Sequence, residues 1–191
     1  RRLIAEWLAI DMDTRGGHSW GVYDAKEGLV HKGLGQIISG MIPDDFASMD
    51  SFFAHTRYAT HGQKTVENAH PFRIGHLTGA HNGVVSNHTE LNRTHGRDCE
   101  VDSMHIFHHL AEEGEMSEIQ AYGTIEYVDE REPGRIFLAT FDGDICIAQG
   151  DFGVIWASTP AAIYDVMDAA RINDWFDLTL EDNQLYYVEN G

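Results

Sequence analysis

Leu3, Ile4, Trp7 and Leu8 recur at helical spacing and Ile10 extends the stripe, so the pattern predicts an amphipathic helix over the first dozen residues that buries this face. Asp11 to Gly17 then break it. From Ser19 to Val30 the pattern changes to short β-like stretches, Trp20–Tyr23 and Leu29–Val30, joined by a hairpin loop at 24–28. After Pro43-Asp44-Asp45 comes a run from Ser51 to Tyr58, in which Phe52, Phe53 and Ala54 give way to polar His55-Thr56-Arg57. Polar groups at the end of a buried strand are where sites tend to form. Residues 72–81 read as one or two strands, and Asn82-Gly83 reads as the turn that stops them, because both residues tolerate positive φ. Asp102-Ser103 is expected to cap a helix that carries Ile106, Phe107 and Leu110 and ends near Gly114.

Four apolar stretches follow in close succession, at 124–128, 135–141, 145–148 and 154–157. Asp142-Gly143-Asp144 and Gly150-Asp151 separate three of them, as in an antiparallel meander. Thr159-Pro160 opens a last helix with Ile163, Val166, Met167 and Ala170 on one side, and residues 185–188 close as a strand. Many strands with helices grouped at a few places predict an α+β fold with antiparallel sheets. No repeat or linker divides the chain, so residues 1–191 are read as one domain. No glycine-rich phosphate loop supports a doubly wound alternative.

Composition narrows the partners. Lys plus Arg number 13 against 31 Asp plus Glu, a formal charge of −18 with histidine neutral, the wrong sign for coating a phosphate backbone or an anionic membrane. Nucleic acid and membrane are therefore not expected as partners. No run approaches the roughly 18 apolar residues of a membrane span, and no charged-then-apolar leader opens the chain. A soluble, cytoplasmic protein is the expectation. Two cysteines, Cys99 and Cys146, cannot build a disulfide framework.

The densest polar constellation lies between His55 and His88. Arg57 is a fixed cation suited to clamping a carboxylate through paired hydrogen bonds, and Thr60 and His61 could add donors. Asn82 and Gly83 offer a side-chain amide and a backbone N–H, the kind of pair that stabilises an oxyanion. Asp102 could hold an ammonium group. Together these describe a pocket for a free amino acid undergoing acyl chemistry. His105, His108 and His109 share helical spacing, yet no His-Glu-x-x-His arrangement or cysteine pair assists them. A half-exposed helix face is the simpler account, so no metal and no cofactor are expected.

In order, His55-Thr-Arg-Tyr-Ala-Thr-His-Gly62, Asn68-Ala-His-Pro71 and His81-Asn-Gly83 resemble three motifs of the class II glutamine amidotransferase domain, an N-terminal-nucleophile family. Arg15-Gly16 with Ser19 and Gly21 is similar to a further stretch, with His18 where the family has Asp, and Trp156-Ala-Ser158 is similar to a later strand. The resemblance implies a four-layer αββα sandwich of two antiparallel sheets. It also implies that Arg57, helped by Thr60 and His61, binds the α-carboxylate of L-glutamine and that Asp102 receives the α-amino group. Asn82 and Gly83 would form the oxyanion hole, and Arg15 would shape the nucleophile's surroundings.

The family's nucleophile is an N-terminal Cys whose own α-amine is the base, whereas this chain starts at Arg1, inside the expected first helix. The expectation is a domain lacking its first strand, with the cysteine upstream. Cys99, flanked by Asp98 and Glu100, is a poor substitute, and Cys146 is expected in the core. The implied activity is hydrolysis of the glutamine amide through a Cys thioester, with ammonia released to an accepting enzyme or domain. The alternative is a catalytically inactive amidotransferase-like protein with a binding or structural role, and a third reading is a histidine-rich metal-binding module.

Overall fold

A computed structural model of the chain describes residues 2–40 and 49–189. The expected break at Pro43-Asp44-Asp45 and the Arg1 start lie outside them. Helix α1 (Arg2–Arg15) leads into strands β1 (Ser19–Asp24) and β2 (Leu29–Leu34), one helical turn α2 (Ile37–Gly40) and β3 (Phe52–Arg57). Then come β4 (Phe72–Ile74), β5 (Leu77–Val85), α3 (His88–His95), α4 (Met104–Ala111) and a 3₁₀ turn at Met116–Glu118. The chain finishes with β6 (Ala121–Asp129), β7 (Arg135–Phe141), β8 (Cys146–Gly150), β9 (Gly153–Ala157), α5 (Pro160–Ala170), β10 (Trp175–Leu178) and β11 (Leu185–Glu189).

Every strand pairing among the described residues is antiparallel. One sheet has five strands in the order β11-β7-β6-β5-β4, and two smaller sheets run β2-β1-β3 and β10-β8-β9. Phe53 of β3 packs with Ala80, Val128 and Ile136 of the large sheet, and Tyr23 and Trp156 join them. The small sheets therefore face the large one. Phe107 and Ile106 of α4 bury themselves on the opposite face of the large sheet, against Phe72, Leu77 and Ile125. Ile163 and Met167 of α5 cover Ala148 of β8, and Ala5 and Ala9 of α1 pack with Trp20 and Val22 of β1. Helices, two sheet layers and helices are the four layers that the sequence implied.

Four local expectations need correction. The first helix runs through Asp11–Arg15 to Arg15, and its buried face is Ile4, Ala5 and Ala9. Leu3, Trp7 and Ile10 are each more than 40% exposed, because the small Ala5 and Ala9 permit the closest approach to the neighbouring layer. Asn82-Gly83 is not a turn: β5 continues through it to Val85, with Asn82 opposite Thr124 and Gly83 opposite Gly123. Asp102-Ser103 makes no side-chain cap on α4, since the Asp102 carboxylate is engaged elsewhere. His105 and His109 are buried, not on a half-exposed face. Helix α3 and strand β10 had no apolar period to announce them; α3 buries only Leu91.

Candidate active site

A cavity of about 1060 Å³ opens between the sheet layers. Its walls are the lengths of β3 and β9, the inner face of α1 and the stretch of β5 from Ala80 to Val84. Among the described residues, β3 pairs only with β1 and β9 only with β8. Arg15, Arg57, Thr60, Asn82, Gly83 and Asp102 all line this one cavity. The motifs are separated in sequence, and the two-layer fold gathers them. His61 is not in the lining, but its Nδ1 lies 3.8 Å from Asp102 Oδ1.

Arg57 ends β3 and is 4% exposed. Its guanidinium donates to the Gln63 carbonyl oxygen at 3.1 Å and to the His61 carbonyl, so the loop that follows the strand folds back onto it. Asn68 Nδ2 donates to the same Gln63 oxygen at 3.1 Å and to Glu100 at 2.7 Å. The second motif thus braces the loop of the first. Asp102 accepts the Val85 backbone N–H at 2.7 Å, which pins the end of β5. Arg15 donates to the Ser158 hydroxyl and so joins α1 to the segment after β9. In place of the family's Asp, His18 accepts the Ala59 N–H at Nδ1, 2.9 Å away, and stacks on Tyr58.

Three histidines back the site, His70 and His81 buried and His55 half-buried. The His55 and His70 rings lie edge to face, 4.1 Å between centroids. His81 sets its Nδ1 2.9 Å from the Ser103 hydroxyl and its Nε2 3.1 Å from the Tyr122 carbonyl. An Nε2–H donated to that carbonyl leaves Nδ1 to accept from Ser103. Burial holds His55 down to about 3 and His81 to about 4, and it pushes His70 well below the ordinary value. All three are neutral at pH 7. The thiols of Cys99 and Cys146 are both raised by burial, so neither is an activated nucleophile.

The cavity also holds Glu126, which the sequence reading passed over inside the apolar stretch 124–128. A single charge in a strand otherwise built for the interior was the available signal. Glu126 stands opposite Ala80 on β5, accepts the Trp156 indole N–H, and is raised by burial to about 7 against an ordinary 4.5. Folded protein therefore keeps this proton up to about pH 7, while unfolded chain releases it near 4.5. The contribution of Glu126 to stability should therefore fall as pH rises through that window and stay lower above it. Glu126→Gln keeps an acceptor for Trp156 and removes the charge. The variant should be more stable than wild type by about 2–3 kcal/mol at pH 8, with no difference near pH 4, as read from urea unfolding. A constant difference across that range would refute the raised carboxyl.

No family model matches the chain. It is 34% identical to a glutamine–fructose-6-phosphate aminotransferase of Vibrio parahaemolyticus, over 59% of this chain and 21% of that protein. The Streptococcus agalactiae protein of the same name is 27% identical over 85% of this chain and 31% of its own length. The chain thus spans between a fifth and a third of these relatives. Among solved structures, an allosteric regulatory enzyme of purine biosynthesis superposes with a TM-score of 0.75 at 20% identity, over 99% of this chain and 44% of the other. A Bacillus subtilis glutamine phosphoribosylpyrophosphate amidotransferase does so equally well, at 20% identity and over 45% of its length. No helix among the described residues is long and apolar enough to cross a membrane. The three motifs, the sequence relatives and the shared antiparallel architecture agree: this chain is similar to the class II glutamine amidotransferase domain and has the N-terminal-nucleophile type of fold.

Proposed function

We propose that this domain hydrolyses the side-chain amide of L-glutamine and delivers ammonia to an acceptor, using a cysteine that precedes Arg1. The observation that carries this reading is the cavity walled by β3 and β9 and lined by Arg15, Arg57, Thr60, Asn82, Gly83 and Asp102. A β-strand needs about 4.8 Å on each side to pair with both edges, and such a strand would carry a nucleophile along the cavity to the ends of β3 and β5. Residues 1–191 are then one amidotransferase domain without its first strand.

In this reading Arg57, already held in place by two backbone carbonyls, clamps the α-carboxylate, with Thr60 and His61 beside it. Asp102 takes the α-ammonium. The cysteine Sγ attacks the amide carbon, and Asn82 Nδ2 and the Gly83 N–H hold the oxyanion that forms. The cysteine's own α-amine takes the thiol proton on attack, and the C–N bond breaks as the amide nitrogen receives that proton from the α-ammonium and leaves as ammonia. Water then attacks the thioester, releasing glutamate and restoring the thiol. No metal or cofactor takes part. Arg15, bonded to Ser158 at the cavity rim, orders the surroundings of the nucleophile. Ammonia passes to a further domain or a separate subunit, and a reducing, cytoplasmic setting suits a thiol nucleophile. The charge of −18 argues against a nucleic-acid partner.

The test is glutamate release from L-glutamine by the protein in its native-start form, with its first residue confirmed by mass spectrometry. Removing the Arg57 clamp (Arg57→Ala) is expected to cost about 100-fold in kcat/KM, and Asn82→Ala about 100-fold in kcat. Thermal melts check that both variants fold. Release that survives both substitutions would reject these roles. A folded protein that starts with Cys and releases no glutamate would favour the inactive, binding or structural reading.

A further inference from the structure

On the helical side of the five-stranded sheet, three side chains from three separate elements converge. His95 ends α3, His109 lies near the end of α4, and Glu118 closes the 3₁₀ turn. Glu118 Oε2 is 3.0 Å from His95 Nε2 and 3.3 Å from His109 Nε2, and one ligand atom from each residue falls within 4.8 Å of the others. Zinc bound at about 2.0–2.2 Å by nitrogen and oxygen in a tetrahedron separates its ligand atoms by about 3.3 Å. Two of the three edges already have that length. None of the three residues lines the cavity between the sheets.

The ring of His109 is aimed as a ligand's would be. Its Nδ1 is 3.0 Å from the His105 carbonyl oxygen, one helical turn back. Because Arg97 can only donate, the metal-free ring accepts at Nδ1 and donates its Nε2–H to Glu118; metal binding moves the proton to Nδ1, where the His105 carbonyl accepts it, and frees Nε2 as a ligand. Both imidazoles also approach the same oxygen of Glu118, as shared ligands of one ion do. Arg97 Nη1 is 2.8 Å from His109 Nδ1 and offers a metal-free arrangement, in which Arg97 donates to Nδ1 and an Nε2–H donates to Glu118.

We propose that His95, His109 and Glu118 bind one divalent transition-metal ion, zinc being the best match to two imidazoles and a carboxylate, with water in the fourth position. The ion ties the end of α3 to α4 and to the 3₁₀ turn, above the core formed by Leu91, Ile106 and Ile119. It replaces the metal-free expectation drawn from the α4 histidines, of which only His109 takes part. Its role is structural and separate from the amide chemistry.

The whole chain, stripped with chelator, is titrated with zinc by calorimetry beside Glu118→Gln and His95→Ala, each checked for folding by circular dichroism. With 12 histidines in the chain, the difference between proteins is the readout. Wild type should bind one zinc more per chain than either variant, or bind it tighter by about tenfold or more, and its melting temperature alone should rise with zinc. Nitrogen shifts of His109 should show Nδ1 protonated and Nε2 metal-bound. Equal stoichiometry and affinity in all three proteins, no binding in any, or a His109 Nε2–H that persists in excess zinc would overturn the site.

Discussion

Lowering the pH from 7 to 4.5 is expected to unfold this protein steeply, with stability lost as soon as pH drops below about 6.5. His55, His70 and His81 carry the effect. In the unfolded chain each takes a proton near its ordinary 6.5, while in the folded protein His55 waits until about 3, His81 until about 4, and His70 lies well below the ordinary value. Unfolding thus binds protons throughout this window, so stability is complete above 6.5 and declines as pH falls toward the folded values. A fully developed difference of one proton is worth about 1.4 kcal/mol per pH unit, so the three together approach about 4.

The surroundings reinforce the direction. His70 feels His55, His81, Arg57 and Lys32, all of which oppose a positive ring; Asp102 and the Tyr122 backbone at His81, and the His81 backbone at His55, favour one but are outweighed by burial. Both nitrogens of His70 and Nδ1 of His55 have no hydrogen-bond partner among the described residues, so no protein acceptor there stabilises a second N–H. His105, held down to about 4 by burial, adds a fourth proton of the same sign, and Glu126 works against the trend between 4.5 and 7 with one of opposite sign, which leaves about three in net effect. Urea unfolding at intervals from pH 7.5 to 4.5 measures the slope, and histidine shifts measure the rings. A flat stability profile, or imidazolium signals from these residues at pH 6, would contradict the prediction.

Gly83→Ala is expected to cost about 4 kcal/mol or more, which is enough to unfold a domain of ordinary stability. A methyl at this position would overlap the Tyr122 carbonyl oxygen and would lie 2.9 Å from Gly123 Cα. Both obstacles are backbone of the neighbouring strand. Gly123 adopts φ +121° directly across the ladder, a conformation that favours glycine. Neither strand can withdraw without breaking the pairing that also places Asn82 opposite Thr124. Gly17→Ala is the matched control, because nothing lies within 4 Å of its added carbon, and it should change stability by less than about 0.5 kcal/mol. Denaturant midpoints of the two variants decide the matter, and a cost under about 1 kcal/mol at Gly83 would show that β5 and β6 are not so closely apposed.

Much of this was legible in the sequence where local chemistry and long-range packing agree. The run 135–141 alternates with its flanking turns as an interior strand should, and β7 occupies those residues. Thr159-Pro160 opens α5, with the Thr159 hydroxyl accepting the Ala162 N–H. The motif residues were visible as chemistry, although their assembly around one cavity depends on sheet pairings that no local pattern encodes. Asn82-Gly83 failed as a turn because its local preference was outweighed by a second glycine forty residues later. Trp7 failed as core because hydrophobicity alone does not say which face of a helix has a neighbour. Glu118 was invisible, and Glu126 showed only as a lone charge in an apolar stretch, for a related reason: each acquires its meaning only from a partner, the two imidazoles or Trp156, that the fold brings from elsewhere.

The outer sides of β3 and β9, for which the described residues supply no strand partner, bear on how these residues behave in solution. A strand edge with unsatisfied N–H and C=O groups is a template for any extended chain, including another copy of the same protein. Here two strand sides without a partner among the described residues border one opening, and the exposed Leu3, Trp7 and Ile10 of α1 add apolar surface. Against this stands a charge of −18, which keeps copies apart most effectively at low ionic strength. Solubility of residues 1–191 on their own is therefore a contest between strand recruitment and mutual repulsion, and added salt shifts it toward self-association.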